Sequence, residues 1–297
     1  TAMLLSVVGG IVVGAIGFTF CEPILTLMKT PSDILPLSVT YMKIYFIGVP
    51  ALLVYNFGSS ILRAIGDTKR PLYFLSISGV VNIGLNLLFV IKFHQGVAGV
   101  AYATIISETL SAIMVIVCLI RNKGACTLVI SHLKMNGDKV LRMIKIGVPA
   151  GLQGAIFSLS NMLIQSSVNS FGPIAVAGNT ATSSIEGFVY TAMNSFHQSA
   201  LSFTSQNIGG NQIKRVGKIL RICLLCVAVV GTVLGITCAI FGSQLLHIYS
   251  SDPEVISYGL IRVNVILITY AICGMMDVFV GSLRGMGYSI TPMIVSL

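Results

Sequence analysis

A few ionisable side chains stand inside otherwise apolar stretches of this sequence, and they are the first candidates for chemistry. A charge in hydrocarbon is costly, so such groups usually pair with one another or mark the path of an ion or a substrate. Three of them are carboxyls that could attract a cation or exchange a proton. The set comprises Glu108, Glu186, Asp277, Lys43, His197 and Arg262.

Glu186 belongs to a polar stripe. Tyr190, Asn194 and Gln198 follow it at four-residue steps, with His197 beside the last, so a helix would place all of them on one face. In a membrane that face must meet protein or water. Two interpretations stay open: Glu186 attracts a cation and exchanges a proton, or it is a structural carboxylate bonded to neighbouring Ser and Thr residues.

Asp277 precedes Arg284 by seven residues. Only a partner or a cavity would hold it charged at that depth. It therefore either takes part in binding or forms an internal ion pair with Arg262 or Arg284. Glu108, on a face rich in Ser and Thr, is interpreted as a structural carboxyl.

Uncharged polar residues form two further stripes. Asn161, Gln165 and Asn169 continue a run that begins at Ser158, at intervals of 3, 4 and 4 residues, and either line a cavity or bond to another helix. Asn82 and Asn86 lie one turn apart on another helix. They offer two carbonyl oxygens to an ion, or they form a clamp between helices.

The elements that position these residues are predicted to be membrane helices. Of the 297 residues, 55% are hydrophobic and only 9% are charged, whereas soluble domains carry about 25% charged residues. Apolar runs of about 20 residues are long enough to cross a bilayer. Eight complete runs occur and a ninth begins near Thr291; the eight occupy residues 1–20, 38–62, 71–92, 97–120, 141–169, 174–206, 216–241 and 257–283.

The basic residues indicate the orientation of these spans. The net charge is +9, and 14 of the 18 Lys and Arg residues fall in alternate loops, at 63–70, 121–145, 214–221 and 284–291. By the positive-inside rule these loops are cytoplasmic. Lipid headgroups account for the basic excess, so no nucleic-acid partner is expected.

The chain also contains an internal repeat with an offset of 221 residues. Two equivalent pairs of glycines, Gly10 with Gly14 and Gly231 with Gly235, predict close helix packing. The same cytoplasmic turn closes a span in each copy, where Gly ends one helix, Pro starts the next and Arg lies at the helix C-terminus. The turn residues are Arg63, Gly66 and Pro71 in the first copy and Arg284, Gly287 and Pro292 in the second.

Six spans separate equivalent points, so both copies have the same orientation. Parallel repeats of this kind occur in secondary transporters. We therefore predict an all-α, polytopic transmembrane bundle of two pseudo-symmetric parallel six-helix repeats, truncated at both ends. Residues 1–120 form the last four helices of the N-terminal lobe, 121–140 a cytoplasmic linker, and 141–297 the C-terminal lobe.

Several stretches, taken in order, resemble the multidrug and toxic compound extrusion (MATE) family. They are LRAIGDTKRP (62–71), VNIGLNLLFV (81–90), GVAGVAYATIISE (96–108), IGVPAGLQ (146–153), SQNIGGNQIKR (205–215) and SLRGMGYSITP (282–292). The resemblance covers helices three to ten and the start of eleven. It implies two six-helix bundles facing each other across a central cavity, and export of organic cations against an inward flow of H⁺ or Na⁺.

The resemblance also implies roles for single residues. Asn82 and Asn86 lie where relatives bind H⁺ or Na⁺, and those relatives often have an Asp at the second position. The only metal ion expected from the resemblance is therefore Na⁺, at Asn82 and Asn86. Gln153 replaces a Glu of sodium-coupled relatives, and Cys273 occupies the place of an essential carboxylate of some branches. The expected substrate-binding residues are Glu186, Asp277, Asn161, Gln165, Tyr190, Asn194 and His197.

The function predicted from the sequence is antiport of amphipathic organic cations for H⁺ or Na⁺ by alternating access in the plasma membrane. The protein is expected to be a monomer without cofactors. The alternative is a flippase for lipid-linked sugars, which should bind a pyrophosphate through several midplane Arg or Lys residues. Neither a metalloprotease motif nor another enzyme motif occurs, so an enzyme is not expected.

Overall fold

The computed structural model describes residues 1–28, 30, 32–122, 124 and 126–296. Lys123, part of the predicted basic linker, lies outside the described residues. The described part of the chain consists of helices and the turns and loops that connect them, and it contains no strand. The helices are α1 (Ala2–Leu27), α2 (Leu35–Ala64), α3 (Lys69–Leu87), α4 (Gly96–Arg121), α5 (Gly137–Asn169), α6 (Pro173–Gly209), α7 (Ile213–Ile240), α8 (Gly242–His247), α9 (Pro253–Arg262), α10 (Ile268–Gly285) and α11 (Ile290–Ser296). Two π-helical turns, Leu88–Lys92 and Val263–Leu267, and a 3₁₀ turn, Ile130–His132, complete the set.

Seven of the helical segments among the described residues are long and apolar enough to cross a membrane. They are α1, α2, α3 with its π turn, α4, α5, α7, and α9 to α10 taken together. The remaining predicted span, α6, forms one helix of 37 residues. It carries a single acidic residue and no Lys or Arg, so its Ser, Thr and Asn content lowers its hydropathy. The chain is therefore a multi-pass helical protein whose most polar long helix is α6.

The chain divides into two compact units, Thr1–Leu141 and Arg142–Leu297. In the first unit, Leu62, Val115 and Leu119 are almost fully buried. The segment predicted as a linker belongs to this unit. Its Lys134 carbonyl accepts a hydrogen bond from the Thr1 hydroxyl at 2.9 Å. In the second unit, helices α6, α7 and α10 enclose the core, in which Met193, Val227 and Val278 have no exposed surface.

The repeat seen in the sequence recurs as helix packing within each unit. In the first unit, a Cβ atom added at Gly10 of α1 would lie 2.5 Å from Pro50 Cα of α2. In the second, a Cβ atom at Gly231 of α7 would lie 2.9 Å from Ala271 Cα of α10. Both residues of the second contact are 221 positions beyond those of the first. Glycine is therefore required where each helix touches its partner's backbone.

The second glycine of each pair faces a backbone carbonyl. Gly14 approaches the carbonyl oxygen of Phe46, and Gly235 approaches that of Leu267, again 221 residues apart in each case. Pro50 lacks an N–H and so cannot bond the Phe46 carbonyl. In the second unit, Leu267 ends a π-helical turn. Different local chemistry thus interrupts the two equivalent helices at equivalent positions.

The two predicted turns have the same backbone geometry. Gly66 and Gly287 have φ angles of +88° and +94°, a region that other residues enter only at a cost. The amide after each glycine bonds the carbonyl five residues earlier, at 3.0 Å in the first unit and 2.9 Å in the second. This pattern closes a helix C-terminus. Pro71 and Pro292 are the third residues of α3 and α11, where a missing N–H leaves no intrahelical bond unmade.

Candidate polar site in the second unit

Glu186 is held by side chains from the segment α9–α10. Its Oε2 atom accepts a hydrogen bond from Arg262 Nη2 at 2.6 Å, and its Oε1 atom accepts one from the Tyr270 hydroxyl at 3.2 Å. The Arg262 and Glu186 side chains are 24% and 20% exposed. A charge-assisted pair with this little exposure is stronger than a surface ion pair. The Glu186 carboxylate therefore bonds to Arg262 and Tyr270, rather than to the neighbouring Ser and Thr residues considered as its partners.

The π turn explains how Arg262 and Tyr270 reach the same carboxylate. They are eight residues apart, with the π turn Val263–Leu267 between them. A π turn accommodates one extra residue, so this spacing acts like the seven-residue spacing that brings side chains to one face of an α-helix after two turns. In a regular α-helix, residues eight apart are less well aligned on one face than residues seven apart, so one of the two would point further away from Glu186.

Small residues on α6 let α9 approach. A Cβ atom added at Gly178 would lie 2.7 Å from the Val255 carbonyl oxygen. One turn further, the Thr182 hydroxyl donates to the Gly259 carbonyl at 3.1 Å. This close contact brings Arg262, at the end of α9, onto the surface of α6 that carries Glu186.

The network continues to α5 through amides. Arg262 Nη1 donates to Asn179 Oδ1. Asn179 Nδ2 donates to Gln165 Oε1 at 3.0 Å, and Gln165 Nε2 donates to Asn169 Oδ1 at 2.9 Å. We call the six residues joined in this way the Arg262 network: Gln165, Asn169, Asn179, Glu186, Arg262 and Tyr270. It ties α5, α6 and α9–α10 together near the end of α5 and the start of α6.

The Arg262 network balances its own charge but leaves one donor unused. Glu186 and Arg262 neutralise each other. The Nε atom of Arg262 is buried without a hydrogen-bond partner among the described residues. A cation can bind Glu186 only by displacing the guanidinium, whereas an anion could approach the spare guanidinium donor. The site can therefore exchange one ionic partner for another.

The other residues of the predicted polar stripe differ in their burial. Tyr190 is about half exposed and Asn194 partly buried. His197 is 9% exposed, and its Nδ1 atom lies 2.7 Å from the backbone carbonyl of Asp277. Asn161 of α5 is exposed. Glu186 and His197 thus contact the segment α9–α10, while Tyr190 and Asn161 present polar groups at the surface of the unit.

Asp277 and Gln153 lie around Arg284. No side-chain ion pair joins Asp277 to Arg262 or Arg284 within 4.0 Å in the described part of the chain. Arg284 instead donates to Gln153 Oε1, and Gln153 Nε2 donates to the Ser296 hydroxyl at 2.6 Å. The carbonyl oxygen predicted to hold an ion at Gln153 therefore has a guanidinium as its partner.

The two amides of the first unit bond to each other and to α4. Asn86 Nδ2 donates to Asn82 Oδ1 at 3.0 Å, and Asn82 Nδ2 donates to the Ser107 hydroxyl at 3.1 Å. The Oδ1 atom of Asn86 is buried without a partner among the described residues. One carbonyl oxygen, rather than two, is thus free to ligate a cation or to accept a hydrogen bond.

Sequence reasoning missed Asn179 and Tyr270, and it considered Arg262 as a partner of Asp277 rather than of Glu186. Asn179 precedes Glu186 by seven residues, so the helical period alone could have placed it on the same face. Tyr270 carries no such signal, because its orientation depends on the π turn.

A multi-pass helical chain with a parallel internal repeat has an architecture found among membrane transporters. The sequence profile of the MatE family matches residues 1–88 and 149–297. The chain belongs to the MatE family.

Individual relatives extend the comparison. The chain is 33% identical over 284 residues to the probable multidrug resistance protein YpnP of Bacillus subtilis, covering 96% of this chain and 63% of that protein. It is 26% identical over 304 residues to the FAD transporter of Shewanella oneidensis, covering 100% and 66%. A mutant of the Vibrio cholerae MATE transporter VcmN matches with a TM-score of 0.91 at 21% identity, covering 99% and 67%, which shows the fold. The chain thus spans about two thirds of the length of each.

Proposed function

We propose that the whole protein exports amphipathic organic cations across the plasma membrane in exchange for H⁺ or Na⁺, by alternating access. Membership of the MatE family supports transport. The observation that supports a cationic substrate is the Glu186 carboxylate on the polar helix α6. It is bonded at 2.6 Å by the Arg262 guanidinium, which a substrate cation could displace. The basic loops are then cytoplasmic and the Arg262 network lies in the outer half of α6.

In this proposal the substrate cation and Arg262 compete for Glu186. When substrate binds, Arg262 keeps its bond to Asn179 and gives up Glu186. When substrate leaves, the ion pair forms again, so the carboxylate is never left unpaired in a low-dielectric site. Tyr270 retains its bond to the other carboxylate oxygen and holds the group in place. Asp277 and the exposed amides of α5 remain predicted substrate contacts.

The competition predicts opposite effects for the two partners. The full-length protein is reconstituted in proteoliposomes, and movement of a fluorescent organic cation is followed under a proton gradient and, separately, under a sodium gradient. Glu186→Gln removes the attracting charge and should raise the KM for the cation or abolish transport. Arg262→Gln removes the competitor and should lower that KM.

A matched control is available in the same segment. Glu254 is exposed at the start of α9, and its backbone amide is bonded by Asp252 at 2.9 Å. Glu254→Gln removes one negative charge outside the network and should leave the KM unchanged. If Glu186→Gln and Glu254→Gln behave alike, Glu186 does not attract the substrate. If the unaltered protein moves no cation under either gradient, cation export is wrong.

A second candidate is a substrate with an anionic group, such as a flavin nucleotide or the pyrophosphate of a lipid-linked sugar. Two observations favour it: the Nε atoms of Arg262 and Arg284 are both buried without an acceptor among the described residues, and one relative is an FAD transporter. The same variants separate the candidates. For an anion, Arg262→Gln should abolish transport rather than lower the KM.

A further inference from the structure

Glu108 belongs to a predicted membrane helix, and its carboxyl group lacks the partners that such groups usually have. It lies near the centre of α4, which runs from Gly96 to Arg121. Its Oε2 atom is buried without a hydrogen-bond partner among the described residues. A Cβ atom added at Gly48 of α2 would lie 2.7 Å from Ile105 Cγ1 and 3.5 Å from this oxygen. The absence of a side chain at Gly48 makes room for Ile105, and Glu108 Oε2 lies at ordinary contact distance beside it, against α2.

The neighbouring hydroxyl groups do not serve the carboxyl. Thr104, Ser107 and Ser111 share its helix, and each donates to a backbone carbonyl of α4 at 2.8–2.9 Å. The Ser111 hydroxyl bonds the backbone carbonyl of Glu108 itself, not its side chain. The interpretation of Glu108 as a carboxylate held by the Ser and Thr residues of its own face therefore lacks the bonds it requires.

No basic side chain neutralises Glu108 in the described part of the first unit. On α2, Tyr45 lies within electrostatic range of Glu108 and carries no positive charge, while Lys43 pairs with Glu22 at 3.6 Å. On α3, which packs against the other side of α4, Arg70 pairs with Asp67 at 3.1 Å. Elsewhere on α3 and its π turn, Lys69, Tyr73 and Lys92 are exposed, and Asn82 and Asn86 are uncharged amides.

An ionised carboxylate without a cation or a donor is expensive in a membrane. Uptake of one proton removes the charge, which is the costly part of burying this group. A buried acceptor in the same unit, Asn86 Oδ1, likewise lacks a donor among the described residues. We infer that Glu108 binds and releases the coupling proton of this transporter, an inference that rests on the proposed export function. Protonation and release at Glu108 would then accompany each transport cycle.

The proton at Glu108 can be observed without transport. Infrared difference spectra of the full-length protein between acid and alkaline buffers report the C=O stretch of protonated carboxyl groups. We expect a pH-dependent band that Glu108→Gln removes and Glu108→Asp shifts but retains. Glu22→Gln is the matched control, because Glu22 is 60% exposed and paired with Lys43; it should leave the band intact. A band that survives Glu108→Gln would overturn the inference.

Transport gives a second, independent readout. In proteoliposomes the proton gradient should accelerate movement of a fluorescent organic cation in the unaltered protein and in Glu22→Gln. In Glu108→Gln this acceleration should be lost, while exchange of labelled for unlabelled cation without a gradient continues. Full acceleration in Glu108→Gln would overturn the inference and leave the export function standing.

Two other outcomes are also decisive. Acceleration by a sodium gradient alone, lost in Glu108→Gln, would contradict a proton at this site. Absence of all cation movement in the unaltered protein would remove the proposed function, and the infrared band would still decide whether Glu108 takes up a proton. Glu108→Asp guards against misfolding, because it keeps the carboxyl group and should keep both the band and the acceleration.

Discussion

Two adjacent glycines of α1 offer a sharp test of the helix packing. A Cβ atom at Gly10 would lie 2.5 Å from Pro50 Cα, whereas one at Gly9 would meet nothing within 4 Å. Carbon atoms in contact prefer about 3.5–4.0 Å, so Gly10→Ala must move α1 and α2 apart by about 1 Å. Overpacking of this kind costs about 1–3 kcal/mol. Gly9→Ala should instead gain up to about 1 kcal/mol of helix propensity.

The measurement is thermal unfolding of the two variants in the same detergent. Gly10→Ala should melt at least about 4 °C below Gly9→Ala, since 1 kcal/mol corresponds to about 2–4 °C in chains of 150–250 residues. The repeat provides an independent pair in α7, where Gly231→Ala should destabilise and Gly217→Ala, which meets nothing within 4 Å, should not. Equal melting temperatures for Gly9→Ala and Gly10→Ala would refute the close approach of α1 to α2.

Three further predictions concern stability and use the same unfolding measurement. Arg262→Gln should cost about 1.5–3 kcal/mol, because it removes charge-assisted hydrogen bonds and leaves Glu186 unpaired; adding Glu186→Gln should recover most of the loss, and no recovery would contradict the pairing. Gly66→Ala and Gly287→Ala, at φ angles of +88° and +94°, should each cost about 1–2 kcal/mol of stability. Alanine substitutions elsewhere on the same helices are the control, and equal stability losses at both kinds of position would contradict this prediction. Tyr55→Phe should cost about 1 kcal/mol, since its hydroxyl donates to a backbone carbonyl in the first turn of α3 at 3.0 Å; an unchanged melting temperature would argue against that bond.

The eight long helical segments of the described chain and their order could be predicted from the sequence, because apolar runs mark the hydrocarbon-embedded part of each span. Their ends could not. The run at 1–20 forms a helix that continues to Leu27, since backbone hydrogen bonding persists after hydropathy falls. The run at 257–283 contains a π turn at Val263–Leu267. Neither glycine nor proline interrupts that turn, so the one-dimensional pattern gives no sign of it.

The candidate site was only partly predictable for a related reason. The helical period identifies which side chains share a face, and it drew attention to Glu186 as a candidate acid. It does not identify the helix that the face meets. Arg262 is 76 residues from Glu186, and the sequence suggested Arg262 and Arg284 only as partners of Asp277. The close contact of α6 with α9, made possible by Gly178, decides that Arg262 pairs with Glu186.

The two units share helix contacts but differ in the polar groups that they leave unsatisfied. Apart from the Ser59 hydroxyl, the buried side-chain atoms without a partner in the described part of the first unit are acceptors, on Asn86 and Glu108; those of the second unit are guanidinium donors, on Arg262 and Arg284. A proton or cation satisfies an acceptor, whereas an anion or an exchangeable carboxylate satisfies a donor. Under the two proposals made above, the repeated backbone has different tasks: the first unit holds the coupling ion and the second exchanges substrate. Substitutions at Glu108 should change the dependence on the ion gradient, those at Arg262 should change substrate affinity, and a reversal of these effects would contradict this division.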